Sequence, residues 1–339
     1  MAARFSGPGE PYEGLAKFHN LAADLGLESR WTGEVRFIEE RLEDPIRWKR
    51  PRMIFVNSMS DLFHEKVDDN WIDAIFAVMS LAPRHTFQCL TKRPQRMMSY
   101  LNGIATKANI EKSAGELSYD VGGMRVPINQ WPLPNVWIGV SVEDQKTADE
   151  RIPLLLETPA AVRWVSYEPA LAPVDFTRLD YRDRLRAALE GSMKFSGCSE
   201  VEAKQKALEE VPARELGEQT PALNVLTGEF FDGWDSGNGQ KKLDWIVVGG
   251  ESGPEARPFD LKWARDTIQQ CKTAGVACFV KQLGSDPFDS SQPGRPHLKF
   301  THGHAGDMSE WPEDLRLQEF PNGTKAEEGR LPDLRLHAE

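Results

Sequence analysis

The stretch "NVWIGVSVEDQKTADERIPLLLETPAAVRWVSYEP", Asn135 to Pro169, decides the fold. It begins and ends with short runs rich in Val, Ile and Trp, and each run stops at a carboxylate, Glu143 or Glu168. The runs are apolar on consecutive positions rather than alternating, which suits strands buried on both faces of a parallel sheet. Between them "SVEDQKTADERIPLLLETP" reads as a helix, so the whole is one strand–helix–strand unit.

Working outward, the same pattern recurs in "RMIFVNSMSD" from Arg52, "HTFQCLTKRP" from His85, "DWIVVGGESG" from Asp244 and "ACFVKQLG" from Ala277. Helices fall between them. In "VDDNWIDAIFAVMSLAP" Asp68 or Asp69 caps, Trp71, Ile75, Val78 and Met79 form the expected inner face, and Pro83 follows the end. In "FDLKWARDTIQQCKTAG" Asp260 caps, Trp263, Ile268 and Cys271 face inward, and Gly275 stops the helix.

This grammar predicts an α/β fold, a partial parallel (β/α) barrel that is TIM-barrel-like. A barrel fits better than an open Rossmann sheet because nearly every strand ends in reactive side chains, and barrel enzymes gather their sites at those ends. The expected organisation is a barrel over residues 1–285, with insertions at 103–131 and 176–242, and a proline- and glycine-rich tail over 286–339. The first insertion carries a small hairpin around "DVGGMRVP". The second carries "ALNVLTGEFFDGWDSGNG", expected as a hairpin or lid over the barrel mouth.

The 339 residues are 40% hydrophobic and 27% charged, enough for a sizeable core. The net charge of -11 supplies no global basic footprint, so nucleic-acid binding would have to use a local patch such as "WKRPR" from Trp48 or "TKRPQR" from Thr91. No apolar run approaches the roughly 20 residues that span a bilayer, and no signal pattern opens the chain, so a cytoplasmic protein without membrane partners is expected. The four cysteines, Cys89, Cys198, Cys271 and Cys278, have no C-x-x-C spacing and read as reduced thiols rather than disulfides or a metal set.

The carboxylates Asp61, Glu143, Asp144, Glu168 and Glu251 each lie just past a predicted strand. Singly each reads as a cap or a loop charge; together they would converge on an amine, hydroxyls or a hard cation. Lys92, Arg93 and Lys281 add positive charge suited to a carboxylate or phosphate. In "LDWIVVGGESGPEARPF", Gly249 and Gly250 precede Glu251 and Arg257. The stretch reads either as a ligand-contacting strand end whose amides approach the ligand or as a plain turn, and it matches neither a dinucleotide fingerprint nor a Walker loop. His64 reads as a satisfied loop histidine or an acid/base. His302, His304 and Asp307 have compact donor spacing, but no metal site is expected of them.

"RMIFVNSMSDLFH", "FQCLTKRPQRM", "SYEPAL", "LDWIVVGGESGPEARP", "FVKQLG" and the opening stretch together resemble the phage-associated Gp-thirty-seven/Gp-sixty-eight family of uncharacterised proteins. The resemblance runs from about Arg52 through "DMSEWPEDLRLQEFP". It implies a partial barrel like that of radical S-adenosylmethionine enzymes, in which an upstream cysteine segment ending in C-Y-A holds a 4Fe-4S cluster. This chain has no such segment. It starts at "MAARFSGPGEPYEGLAKF", which resembles the helix after it, so the expectation is either a truncated form, the favoured reading, or a lineage that has lost the segment; as it stands the chain is expected to lack the first strand and to hold no cluster, S-adenosylmethionine and the 4Fe-4S cluster being expected of the complete form.

On that resemblance Asn57, Ser58, Ser60, Asp61 and Glu143 would contact the cofactor. Lys92, Arg93, Arg257 and Lys281 would hold the substrate, and Glu168 and Glu251 would be catalytic. The alternatives are a non-catalytic nucleic-acid or protein binding module, with Trp48, Trp131 and Trp234 stacking on bases, and a metal-dependent barrel hydrolase.

Overall fold

Six short runs with no polar face can be satisfied only by a sheet covered on both sides, and that sheet is present. In the computed structural model, which describes residues 13, 15–20, 27–57, 60–118, 126–180, 222–230, 241–294, 296–301 and 305–321, two elements precede it. β1 (Ala16–Asn20) and β2 (Leu27–Trp31) form an antiparallel pair. This corrects the expected opening helix: Ala16 to Asn20 is extended and hydrogen-bonded to a partner strand.

The main sheet contains β3 (Met53–Val56), β4 (Thr86–Thr91), β5 (Val136–Ser141), β6 (Val162–Tyr167), β10 (Trp245–Gly249) and β12 (Ala277–Gln282). Their order is β12-β10-β6-β5-β4-β3 and every pairing is parallel, so the strands run in sequence order across the sheet. The sheet curls into a half-barrel with one convex and one concave face.

The convex face packs on helices. α1 (Asp44–Arg47) lies before β3; α2 (Asp69–Leu81), α3 (Pro94–Leu101), α4 (Thr106–Leu117), α5 (Gln145–Leu156) and α6 (Leu261–Ala274) follow. Capping fixes where they start. Asp68 accepts from the Asn70 amide, Asp260 from the Lys262 amide, and Asp144 forms a reciprocal capping box with Thr147. α6 stops at Gly275, whose φ of 66° is the left-handed conformation glycine adopts without a Cβ penalty. The face α2 buries is centred on Ile72, Phe76 and Met79, with Val78; Trp71 and Ile75 are only half-buried at its margin, and Trp71 stacks on Phe37 at 5.2 Å.

The long crossover from β6 to β10 contains β7 (Leu179–Asp180), β8 (Ala222–Asn224) and β9 (Glu229–Phe230), an antiparallel three-stranded sheet. Its Leu179 and Leu223, with Val225 and Leu226, are buried in the same core as the helices, and the Leu243 amide donates to Val225 just before β10 begins. The hairpin read as a lid over the mouth therefore fills the helical layer beside α5 and α6. Residues 119–125, which include most of "DVGGMRVP", lie outside the described residues, as do 231–240.

At the other side of the sheet the 315–321 segment runs along β12. Val280 N–H donates to Leu317, Glu319 N–H to Cys278, and the Trp245 indole to the Glu319 carbonyl, while Trp311 and Leu315 are buried. β11 (Phe259–Asp260) and β13 (Pro287–Phe288) form a small parallel pair beside α6. No helix among the described residues is long and apolar enough to cross a membrane.

Candidate functional site

Because residues alternate sides along a strand, parity settles what each face presents. Val140, Val165, Tyr167, Ile246, Val248, Cys278 and Val280 point to the helices. The opposite parity gives Phe55, Leu90, Trp137, Trp164, Trp245, Val247 and Phe279 on the concave face, joined by Phe320 from the C-terminal segment. Trp245 is the hub: its ring lies 5.5 Å from Trp164, 5.7 Å from Trp137, 6.0 Å from Phe279 and 5.4 Å from Phe320. One layer toward the strand ends the aromatic floor gives way to Ser141 and Ser166, which are paired across β5 and β6. Beyond them stand the charged groups.

Those charges come in pairs. Glu143 Oε2 accepts from Arg151 Nη1 at 3.1 Å, and Glu143 Oε1 lies 2.5 Å from Lys92 Nζ. The lysine contact is an ion pair without hydrogen-bond geometry, which leaves the buried Oε1 with no hydrogen-bond partner. Glu168 accepts from Lys281 Nζ and from Gln282 Nε2, both at 2.8 Å. Glu251 takes a fork from Arg257, Nε at 2.8 Å and Nη2 at 3.2 Å, plus the Arg257 amide at 3.0 Å.

The Arg257 hydrogen bonds hold the Glu251 carboxyl below the usual carboxylate range. Arg257 is raised in turn by that bond and, more weakly, by the charge of Glu143, so these two acids share one electrostatic neighbourhood.

Asp61 is differently placed. Its Oδ1 accepts from the Phe63 amide at 2.9 Å and the Thr91 hydroxyl at 2.7 Å, and its Oδ2 from the Lys92 amide and Arg93 Nη1, each at 3.1 Å. Four donors fill the carboxylate, and they tie the loop after β3 to the end of β4. Arg93 also binds Glu65 at 2.9 Å. Asn57 follows β3 with φ 58° and its side chain has no partner among the described residues; asparagine is among the few residues that tolerate this left-handed region. Ser60 follows it in the same loop, and Ser58 lies outside the described residues.

The two glycines that precede Glu251, Gly249 and Gly250, have a packing reason. A Cβ on Gly250 would come 2.6 Å from the Leu283 carbonyl oxygen, one on Gly249 3.1 Å from that of Gln282, and the Gly250 amide donates to Gln282. The register of β10 on β12 shifts at this point. Close approach of two backbones uses these glycines, and the Gly250 amide is not free to cradle a ligand.

Asp144 is the α5 cap rather than a rim acid, its carboxyl lowered first by the Thr147 amide. His64 is a satisfied loop histidine, its Nδ1 accepting from the Lys66 amide. Asp307 caps a short turn at Ser309, while His302 and His304 lie outside the described residues. The two basic stretches occupy opposite ends of the sheet: "WKRPR" precedes β3 and "TKRPQR" follows β4. Trp48 is held under Arg52 at 4.4 Å. They do not form one patch.

Cys89, Cys271 and Cys278 are buried in the helix-side core. Burial pushes the Cys89 thiol up to about 12, and Cys278 is raised by its hydrogen bond with Cys271 and by burial. Cys198 lies outside the described residues. A cluster that needs three thiolates does not fit this set. No three His, Cys, Asp or Glu side chains among the described residues are placed to hold a metal ion.

Strand-end position alone did not identify Arg151, Gln282, Thr91, Ser141 and Ser166. The signal for the serines was available: each sits two residues before a rim glutamate and therefore on the same face. A family model described as "Protein of unknown function (DUF5131)" matches residues 2–338. Comparison with curated proteins and with solved structures finds no match.

Proposed function

We propose, from the premise that the chain belongs to the DUF5131 family of proteins of unknown function, that the concave mouth binds a small ligand carrying both an amine and a carboxylate. The observation that carries this reading is Glu143 Oε1, a buried anionic oxygen at the rim whose counter-charge is the exposed Lys92 ammonium at 2.5 Å, an ion pair without hydrogen-bond geometry. An acceptor held in this way keeps its ion pair but lacks a well-directed charge-assisted hydrogen bond, worth roughly 1.5–3 kcal/mol. A ligand ammonium or hydroxyl donor would supply it by displacing Lys92, which is 57% exposed where Glu143 is 12%. The released lysine is then free for the ligand's carboxylate.

Lys281 and Glu168 repeat the arrangement two strands away, and Arg257 with Glu251 closes the rim. Asp61 positions the β3 and β4 loops, and Arg93 is held by it. The resemblance to a TIM-barrel-like, radical S-adenosylmethionine-type partial barrel of phage-associated proteins makes S-adenosylmethionine the first ligand to try, and its methionine moiety has the required groups. The cysteines described do not supply a cluster, so radical chemistry rests on that resemblance alone.

The test is calorimetric titration of the chain with S-adenosylmethionine and with methionine, for the native sequence and Glu143→Gln. Loss of a charge-assisted hydrogen bond of about 1.5–3 kcal/mol predicts at least tenfold weaker binding of both in the variant. Equal affinity in the two proteins, or no binding of either ligand at millimolar concentration, would overturn the proposal.

A further inference from the structure

The chain has 52 acidic residues against 41 basic ones, yet its acids leave one cationic stretch alone. Neighbouring cations are paired, Arg41 with Asp44, Arg47 with Glu43 and Arg96 with Asp69. In "WKRPR", Trp48 to Arg52, the side chains of Lys49, Arg50 and Arg52 are exposed and make no ion pair among the described residues.

Two residues of the turn between α2 and β4 fasten the stretch. Arg84 Nε donates to the Trp48 carbonyl at 2.7 Å, and its Nη2 reaches the carbonyls of Pro45 and Ile46 in α1. His85 Nδ1 accepts from the Arg52 amide at 3.0 Å, and its Nε2 bonds the Pro45 carbonyl at 2.9 Å. Arg52 in turn lies 4.4 Å over the Trp48 ring. Arg84 is itself exposed and its partners are neutral carbonyls, so it adds a fourth positive charge to the cluster.

Placement keeps this charge apart from the rim acids. β3 is the edge strand of the main sheet, with no strand beyond it among the described residues, and the stretch stands at its N-terminal end. The rim acids follow the C-terminal ends of the strands. Four residues at about 3.3 Å each separate the two ends of β3 by about 13 Å, which exceeds the screening length of about 8 Å at physiological salt.

Two guanidiniums and an ammonium suit phosphates, which accept in pairs from the planar fork of arginine. The Arg52–Trp48 stack adds a flat surface of the kind on which bases lie. No large apolar side chain of the stretch is exposed to enter a bilayer, and an acidic peptide has no base for the stack. We infer that Lys49, Arg50 and Arg52 form a docking surface for a single-stranded nucleic acid, with the three cations on neighbouring phosphates and a base on the outer face of the Arg52 guanidinium. This surface is independent of the ligand proposed for the rim.

The test is fluorescence anisotropy of a labelled single-stranded DNA of about twelve nucleotides and mixed sequence, with polyglutamate as a competitor. Three phosphate contacts at about 0.7 each give a slope of log K on log salt of about −2, so binding should weaken about fifteen- to twentyfold between 50 and 200 mM salt. Lys49→Ala combined with Arg50→Ala should reduce the slope to about −0.7. Its melting temperature should be unchanged, since both side chains are exposed. Arg52→Lys keeps the charge and removes the planar group, and it should weaken binding about fivefold at the same slope. Glu143→Gln should bind the strand as the native chain does. The inference is overturned by no binding at 50 mM salt, by a slope the double variant leaves unchanged, or by an Arg52→Lys variant as tight as the native chain. Displacement by polyglutamate as effective as by unlabelled DNA would assign the patch to acidic peptides instead, and a Glu143→Gln effect equal to that of the double variant would place the strand at the rim; either result refutes it.

Discussion

Asp61→Asn separates a framework acid from a ligand-binding one, because the side chains are isosteric and only one oxygen changes character. Oδ1 keeps the Phe63 amide and the Thr91 hydroxyl. Oδ2 becomes an amide nitrogen that confronts two donors, the Lys92 amide and Arg93 Nη1. A neutral bond is worth about 1 kcal/mol and a charge-assisted one about 1.5–3. Arg93 is one-third exposed and retains Glu65, so the low end applies to it. The expected loss is therefore about 2–4 kcal/mol in urea denaturation followed by circular dichroism. Arg93→Met should overlap with it in a double-mutant cycle, coupling by at least about 0.5 kcal/mol. A loss under about 1 kcal/mol, or strict additivity of the two substitutions, would refute the view that Asp61 ties the two loops together.

Two further expectations follow from packing and protonation. Gly250→Ala puts a methyl 2.6 Å from a backbone carbonyl that cannot turn aside, so β10 and the loop after β12 must separate; a loss of about 1–3 kcal/mol is expected in the same assay, and a neutral substitution would show that this turn is not held by backbone approach. His85 is buried with Nδ1 accepting from the Arg52 amide and Nε2 bonded to the Pro45 carbonyl, and burial holds its pKa below the ordinary histidine value. The neutral ring is the folded form, so its contribution is complete above the unfolded pKa of about 6.5 and is lost as pH falls through the lower folded value. Urea melts at pH 7.5 and 5.5 should differ more for the native chain, with the lower midpoint at pH 5.5, than for His85→Gln, and equal pH dependence of the two would sink this account.

Strands were the most legible part of the sequence, because burial on both faces writes itself as consecutive apolar residues: all six runs, such as "VWIGVS" and "WIVVG", are strands of the one sheet. Caps were legible for the same kind of local reason, Asp68, Asp260 and Gly275 each acting within one turn. What needed the third dimension was partnership. Asp61, Glu143, Glu168 and Glu251 look equivalent as strand-end acids, yet one is filled by four donors and another holds one oxygen by an ion pair alone, and their partners Arg151 and Gln282 come from a helix and from another strand. The position of the β7–β9 sheet was illegible for a related reason: glycines and aromatics mark a hairpin but not which core receives Leu179 and Leu223. Trp164 and Gly139 read as ordinary strand residues until parity placed the indole over the glycine.

The rim contains two kinds of cation, and the difference bears on how a ligand would enter. Arg93, Arg151 and Arg257 each bind by more than one contact: Arg93 bridges two acids, Arg151 adds the Ser141 carbonyl at 2.8 Å, and Arg257 forks onto Glu251. Their planar groups lose little further freedom per bond and are poor leaving groups from their acids. Lys92 and Lys281 each hold one acid oxygen through a single exposed ammonium on a flexible stem. Acids fixed by arginine and screened by lysine keep their geometry while exchanging one counter-charge. A ligand amine can therefore replace a lysine at Glu143 or Glu168 without leaving either carboxylate bare, and the lysine it frees remains beside it to meet a carboxylate. The exchange replaces one ion pair at the rim by two while a ligand with one amine and one carboxylate adds no net charge, so affinity would come from the added pair and from the hydrogen bond that Glu143 Oε1 gains rather than from net charge.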